Sequence, residues 1–156
     1  VAYQAWDANL ASGIIAEHAG REGATLPILH ALQHAFGYVP KAAVPMVADA
    51  LNLSRAEVHG VVTFYHDFHE VPSGRHVLKL CRAESCQAMG AERLADHVKR
   101  KLGIGWGQTT ADGAVTLEPV FCLGLCACSP AAMFDSKLVG RASAGKLDQI
   151  IDRVRA

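Results

Sequence analysis

Over the first seventy positions, apolar residues recur at helical spacing. In LPILHALQHAFG, Leu29, Leu32 and Phe36 fall at i, i+3 and i+7, and Gly37 follows as a natural C-cap. Asp7 predicts the N-cap of an earlier helix reaching about His18. In KAAVPMVADALN the stripe is Val44, Val47, Ala48 and Leu51, with Pro45 tolerable in the first turn. Ser54, Arg55, Ala56 and Glu57 spell a capping box, which opens a helix through GVVTFY towards Phe68. About four helices with short connections predict a small bundle.

The pattern changes at VPSGRH (71–76), where Pro72 and Gly74 break the helical period. HVLKLC alternates as a strand ending at Cys81. MGAERLADHVKRKLG then reads as a helix with Ala91, Leu94, Val98 and Leu102 inward and Gly103 as terminator. Asp112 and Gly113 signal a turn before the strand VTLEPVFC (115–122), which ends at Cys122. AAMFD and KLVGRA predict two more strands around Ser136, and Leu147, Ile150, Ile151 and Val154 mark a closing amphipathic helix. The expected domains are therefore a helical bundle over 1–72 and a small α/β domain over 73–156, α+β in class. Each half is short enough for a lone hydrophobic core to be marginal, so the second is expected to gain stability from whatever its cysteines bind.

Composition narrows the function. The chain is 51% apolar and 19% charged, with 15 basic and 15 acidic residues, which is globular rather than disordered. No basic stripe is available to neutralise phosphates, which argues against a nucleic-acid partner. The longest apolar-looking stretch, Pro119 to Phe134, is interrupted by Gly124, Ser129 and two prolines, so membrane insertion is not expected. The start, VAYQAWDANL, has no basic region ahead of an apolar one, which predicts no signal peptide and a cytoplasmic protein.

The chemistry lies in five cysteines, all in the second half: Cys81, Cys86, Cys122, Cys126 and Cys128. An odd count without a signal peptide does not suit a disulfide framework. C-x4-C and C-x3-C instead offer four thiolates from two loops, each beginning where a strand ends, so neighbouring strands running the same way would bring them to one edge. Gly124 lets the backbone approach, and loop N–H groups could bond the sulfurs. Spacing alone suits a closed zinc site and an iron–sulfur cluster equally.

The other candidates are weaker. His66 and His69, or His30 and His34, could face together on a helix, but neither pair has an obvious third ligand. Gly103, Gly105 and Gly107 lack the dinucleotide-binding spacing, and Trp106 beside them reads as a loop residue. Thr63, Phe64 and Tyr65 read as helix core.

LPILHALQHAFGYVP, GVVTFYHDF, CRAESC (81–86) and CLGLCACSPA (122–131), in that order, resemble the thioredoxin-like [2Fe-2S] ferredoxin family. Its members are the small subunits beside an FMN-carrying subunit in complex I, NAD-reducing hydrogenases and NAD-dependent formate dehydrogenases. The resemblance implies a helical bundle on a thioredoxin-like domain and a [2Fe-2S] cluster held by Cys81, Cys86, Cys122 and Cys126. Cys128 matches no ligand position and is expected to be a small packing residue. ESCQAMGAERL and CLGLCACSPAAMFD look most like the gamma subunit of molybdenum-dependent, NAD-linked formate dehydrogenase. That implies an electron-transfer subunit, inactive alone, beside an FMN/NAD-binding iron–sulfur subunit and a molybdenum-containing catalytic subunit. FMN, NAD and the molybdenum cofactor would lie in those partners. The alternatives are the equivalent subunit of complex I or a hydrogenase, and a zinc assembly module.

Overall fold

The computed structural model describes residues 3–155, so residues 1, 2 and 156 of the expected domain spans lie outside it. It divides into two compact units that meet in sequence between Pro72 and Ser73.

The first unit holds helices α1 (Ala8–Ala19), α2 (Thr25–Phe36), α3 (Ala43–Leu51) and α4 (Arg55–Phe64). Their starts and stops have local causes. The Asp7 carboxylate accepts from the N–H groups of Asn9 and Leu10, at 2.7 and 3.2 Å. The Ser54–Glu57 capping box is closed in both directions. Gly37 ends α2 with φ +80°, a left-handed conformation that glycine adopts without steric cost. Ile28, Leu29, Leu32 and Phe36 of α2 pack with Ala43, Val47 and Ala48 of α3 and with Val58 and Val62 of α4. Val44 and Leu51 lie at the margin of the α3 stripe rather than within it, and Ala43 takes the inner position.

α4 stops at Phe64 instead of running towards Phe68, although no breaker stands between them. The cause is tertiary. The Gln33 side-chain amide donates to the Asp67 carbonyl at 2.6 Å and accepts from the His69 N–H at 2.7 Å, and Val39 N–H bonds the His69 carbonyl at 2.8 Å. These bonds draw 67–69 out of the helical path and bury Phe68. The helix-core reading of Thr63, Phe64 and Tyr65 is thereby corrected. All three are exposed, Phe64 by 73%.

The second unit contains β1 (His76–Cys81), α5 (Glu84–Ala88), α6 (Ala91–Leu102), β2 (Gln108–Thr109), β3 (Val115–Val120), a 3-10 turn (Cys126–Cys128), β4 (Ala132–Phe134), β5 (Lys137–Val139) and α7 (Ala144–Arg155). Its sheet has the order β2-β3-β1-β4-β5, with β1 and β3 parallel and the other neighbours antiparallel. Gly74 leads into β1 where a Cβ would lie 3.0 Å from the Thr109 methyl and 3.1 Å from the Gly113 carbonyl, so a larger residue would require those neighbours to shift by a few tenths of an ångström. α6 packs on β1 and α7. Leu94, Ala95, Val98 and Leu102 share a core with Leu78, Leu80, Val115, Leu117, Leu147 and Ile151. The short α5 and β2 add to the predicted elements of this half, and β3 ends at Val120, two residues before Cys122.

Candidate metal centre

β1 and β3 lie side by side in parallel, with Cys81 opposite Val120, so the loops after both strands leave the same edge of the sheet. Cys81 closes β1, and Cys86 follows within α5; both are buried, at 3% and 2% exposure. Cys122 and Cys126 lie in the second loop and are exposed, with their sulfurs 4.0 Å apart. All five cysteines are free thiols.

The loops aim backbone donors at these sulfurs. Burial alone would raise the Cys81 thiol. Hydrogen bonds from the backbone of Ala83, Cys122 and Leu123, together with the contact with the Cys86 side chain, overcome it and leave the thiol below its ordinary value. Two of those donors come from the opposite loop, which joins the first pair to the second. The Gly124 N–H points at Cys122 Sγ from 3.3 Å. Cys126 is held above its ordinary value, first because its thiol bonds Cys122 and then by the negative charge at Cys122, burial, and the charges at Cys86 and Cys81. A cation bound there would relieve that repulsion and displace the Cys126 proton.

Backbone conformation shapes the second loop. Gly124 has φ +75°, but a Cβ there would meet nothing within 4 Å. Its glycine answers the left-handed turn. Cys122 itself sits at φ +101°, a conformation that a side chain rarely adopts. Strain of this kind costs about 1–3 kcal/mol and persists where surrounding contacts over-determine it.

Arg82 stands between the two cysteines of the first loop, its backbone N–H on the Val120 carbonyl at 2.8 Å. Its guanidinium pairs with Glu92 at 3.1 Å and lies 5.3 Å from the Trp106 ring centre, which Lys99 also approaches to 4.5 Å. The Arg82 Nε is buried without a hydrogen-bond partner. Nothing in the sequence signals this cationic ring contact, because Trp106 arrives from the loop after α6.

Cys128 is half-buried and packs against Gly140, where an added Cβ would lie 3.0 Å from Cys128 Cβ. The other candidates do not assemble. His66 and His69 are not on a helix, because α4 has already ended. His30 and His34 share α2, but the His30 ring packs against Phe68, tilted by 51° with ring centres 4.8 Å apart.

Among the described residues no three His, Cys, Asp or Glu side chains are gathered closely enough to hold one metal ion. The thiols form two pairs, one on each loop. That donor set fits a binuclear cluster, in which each iron takes two protein ligands, better than a single tetrahedral ion, which needs four donors around one point.

Comparisons with known proteins agree in kind. The family model described as thioredoxin-like [2Fe-2S] ferredoxin matches residues 11–155. An NADH-quinone oxidoreductase subunit of Pseudomonas aeruginosa is 40% identical over 75% of this chain and 70% of its own length. A subunit of the same oxidoreductase from Rhizobium meliloti is 38% identical over 90% and 84%. The HndA subunit of the NADP-reducing hydrogenase of Solidesulfovibrio fructosivorans is 34% identical over 84% and 77%. Among solved structures, the NAD+-reducing [NiFe]-hydrogenase in its air-oxidized state aligns with TM-score 0.69 and 26% identity over 81% of this chain. The chain spans only 22% of that hydrogenase chain.

Proposed function

The chain belongs to the thioredoxin-like [2Fe-2S] ferredoxin family, and from that premise we propose that Cys81, Cys86, Cys122 and Cys126 hold its [2Fe-2S] cluster. The observation that carries this reading is the pairing of four thiols on two loops that leave one edge of the sheet. When bound, the cluster supplies one-electron redox chemistry. The chain's own residues hold it and orient its loops, while backbone N–H groups of Ala83, Cys122, Leu123 and Gly124 face the sulfurs. The protein is a redox subunit of an oxidoreductase complex of the NADH-quinone oxidoreductase or NAD-reducing hydrogenase type.

Its finer role is to relay single electrons beside an FMN- and NAD-binding subunit, in the cytoplasm. Among the described residues no helix is long and apolar enough to cross a membrane. The host we favour is an NAD-dependent formate dehydrogenase with a molybdenum-containing catalytic subunit. Supporting that host is the likeness of the segments flanking the cysteine pairs, ESCQAMGAERL and CLGLCACSPAAMFD. A complex I or hydrogenase host is the second reading, favoured by the curated relatives.

Anaerobically purified protein should contain about two irons per chain and give a paramagnetic signal after dithionite reduction. One zinc and no signal would refute the relay. Affinity purification from the native cell then identifies the host. A molybdenum protein with formate-dependent NAD reduction in the eluate supports the formate dehydrogenase, and a quinone-reducing or hydrogen-oxidising assembly replaces it with the second reading.

A further inference from the structure

Two serine hydroxyls tie the cysteine-bearing loops together. Ser129, 8% exposed, follows the second pair, and Ser85 precedes Cys86 on the first loop. The hydroxyls are 2.9 Å apart. Both reach the Cys126 carbonyl, Ser129 at 2.8 Å and Ser85 at 3.2 Å, and the Ser129 backbone N–H is 3.4 Å from the same oxygen. The Cys86 thiol donates to Ser129 Oγ at 3.5 Å.

Proton counting decides what this network does once Cys86 is a ligand. A ligating cysteine is a thiolate, so its sulfur has no proton to give and can only accept. The contact between Cys86 and Ser129 then survives only if Ser129 becomes the donor. Its hydroxyl carries one proton, so it must leave the Cys126 carbonyl. Ser85 already bonds that carbonyl at 3.2 Å, and the Ser129 N–H contact is longer, at 3.4 Å, so the carbonyl keeps a hydroxyl donor when Ser129 turns away.

We propose that in the cluster-bearing protein Ser129 donates its hydroxyl proton to Cys86 Sγ and raises the reduction potential, and that Ser85 frees it to do so by holding the Cys126 carbonyl. The inference rests on the ligand set proposed above. Reduction adds one electron and no proton, and Ser129 keeps its O–H bond throughout. The added electron density falls partly on the ligand sulfurs, so a donor at one of them favours the reduced form. Ser129 and Ser85 are positioning residues; neither is a ligand.

The test uses the full chain loaded with iron and sulfide, titrated anaerobically with dithionite and read by EPR. Ser129→Ala should retain both irons with a midpoint lowered by about tenfold in the reduction equilibrium, ~59 mV for one electron. Ser129→Thr, which keeps a hydroxyl, should restore it. Ser85→Ala should lower the midpoint in the same direction although Ser85 bonds no ligand sulfur, because Ser129 is then drawn back to the carbonyl. The double variant should fall no further than Ser129→Ala alone. A wild-type midpoint in iron-loaded Ser129→Ala, or a double variant with the sum of two drops, would overturn the proposal. If Ser129→Ala fails to hold iron, Ser85→Ala decides, and an unchanged midpoint there rejects it. Absence of iron from the wild-type chain would instead defeat the cluster reading, before any midpoint is read.

Discussion

Each cysteine has a different environment, and the variants should divide accordingly. Cys86 is buried, and Cys122 is held at φ +101° with the Gly124 N–H on its sulfur. Replacing either by alanine removes one of the two proposed ligands on its loop, and both variants should lose visible absorption and iron. Full colour and reducibility in either would disprove the ligand assignment. Cys128 serves a packing role against Gly140, and Cys128→Ser should keep the cluster, since a hydroxyl fits the same space. Bleaching of that variant would show that the fifth thiol is needed by the cluster. The cysteines and their grouping were readable from sequence because thiolates at short spacings have few other uses in such a chain. The Ser85–Ser129 bridge was not, because serines are common and these two lie 44 positions apart until the parallel strands bring their loops together.

At the scale of elements, what was legible is what has a local cause. The caps at Asp7 and Ser54 and the terminators Gly37 and Gly103 work through bonds to residues within one turn, so the adjoining helices stand near where their patterns place them. Ser54→Ala opens the capping box and should destabilise the full chain by about 1 kcal/mol, measured by urea unfolding with helical circular dichroism. No change in midpoint would mean that tertiary packing alone holds the start of α4. The elements that sequence missed are too short to carry a pattern or are set from a distance. α5 is a single short turn, too brief for a hydrophobic period, and Gln87 holds it by bonding the Arg82 carbonyl at 2.7 Å. β2 is two residues long and exists through its pairing with β3, reinforced by the Thr109–Thr116 hydroxyl contact at 2.7 Å. The end of α4 depends on Gln33, more than thirty positions earlier in the chain.

Across the whole molecule, apolar burial is unevenly supplied. The helical unit has an extensive core running from Ala11 to Phe68. The second unit has one of its own between the sheet and α6 and α7, but at the cysteine edge the fully buried group is small, Cys81, Cys86, Ala91 and Ala131, with Ala83, Val120, Leu123 and Leu125 partly buried against it. Two of the fully buried four are thiols proposed as ligands, so without metal that edge keeps little apolar burial to hold its loops and the strained backbone at Cys122. Cluster binding should therefore contribute to the folding of the second unit, because a ligand bound only by the folded state stabilises it. Iron removal by an anaerobic chelator should lower and broaden one calorimetric transition while leaving the transition of the helical unit in place. For a domain of this size each 1 kcal/mol shifts Tm by about 4–8 °C, so a loss of two or more predicts a fall of roughly 10 °C. Apo-protein that melts as cooperatively and at as high a temperature as holo-protein would show that the sheet and its two long helices suffice without the cluster. The edge where the thiols meet would then be preformed by the fold rather than completed by the metal.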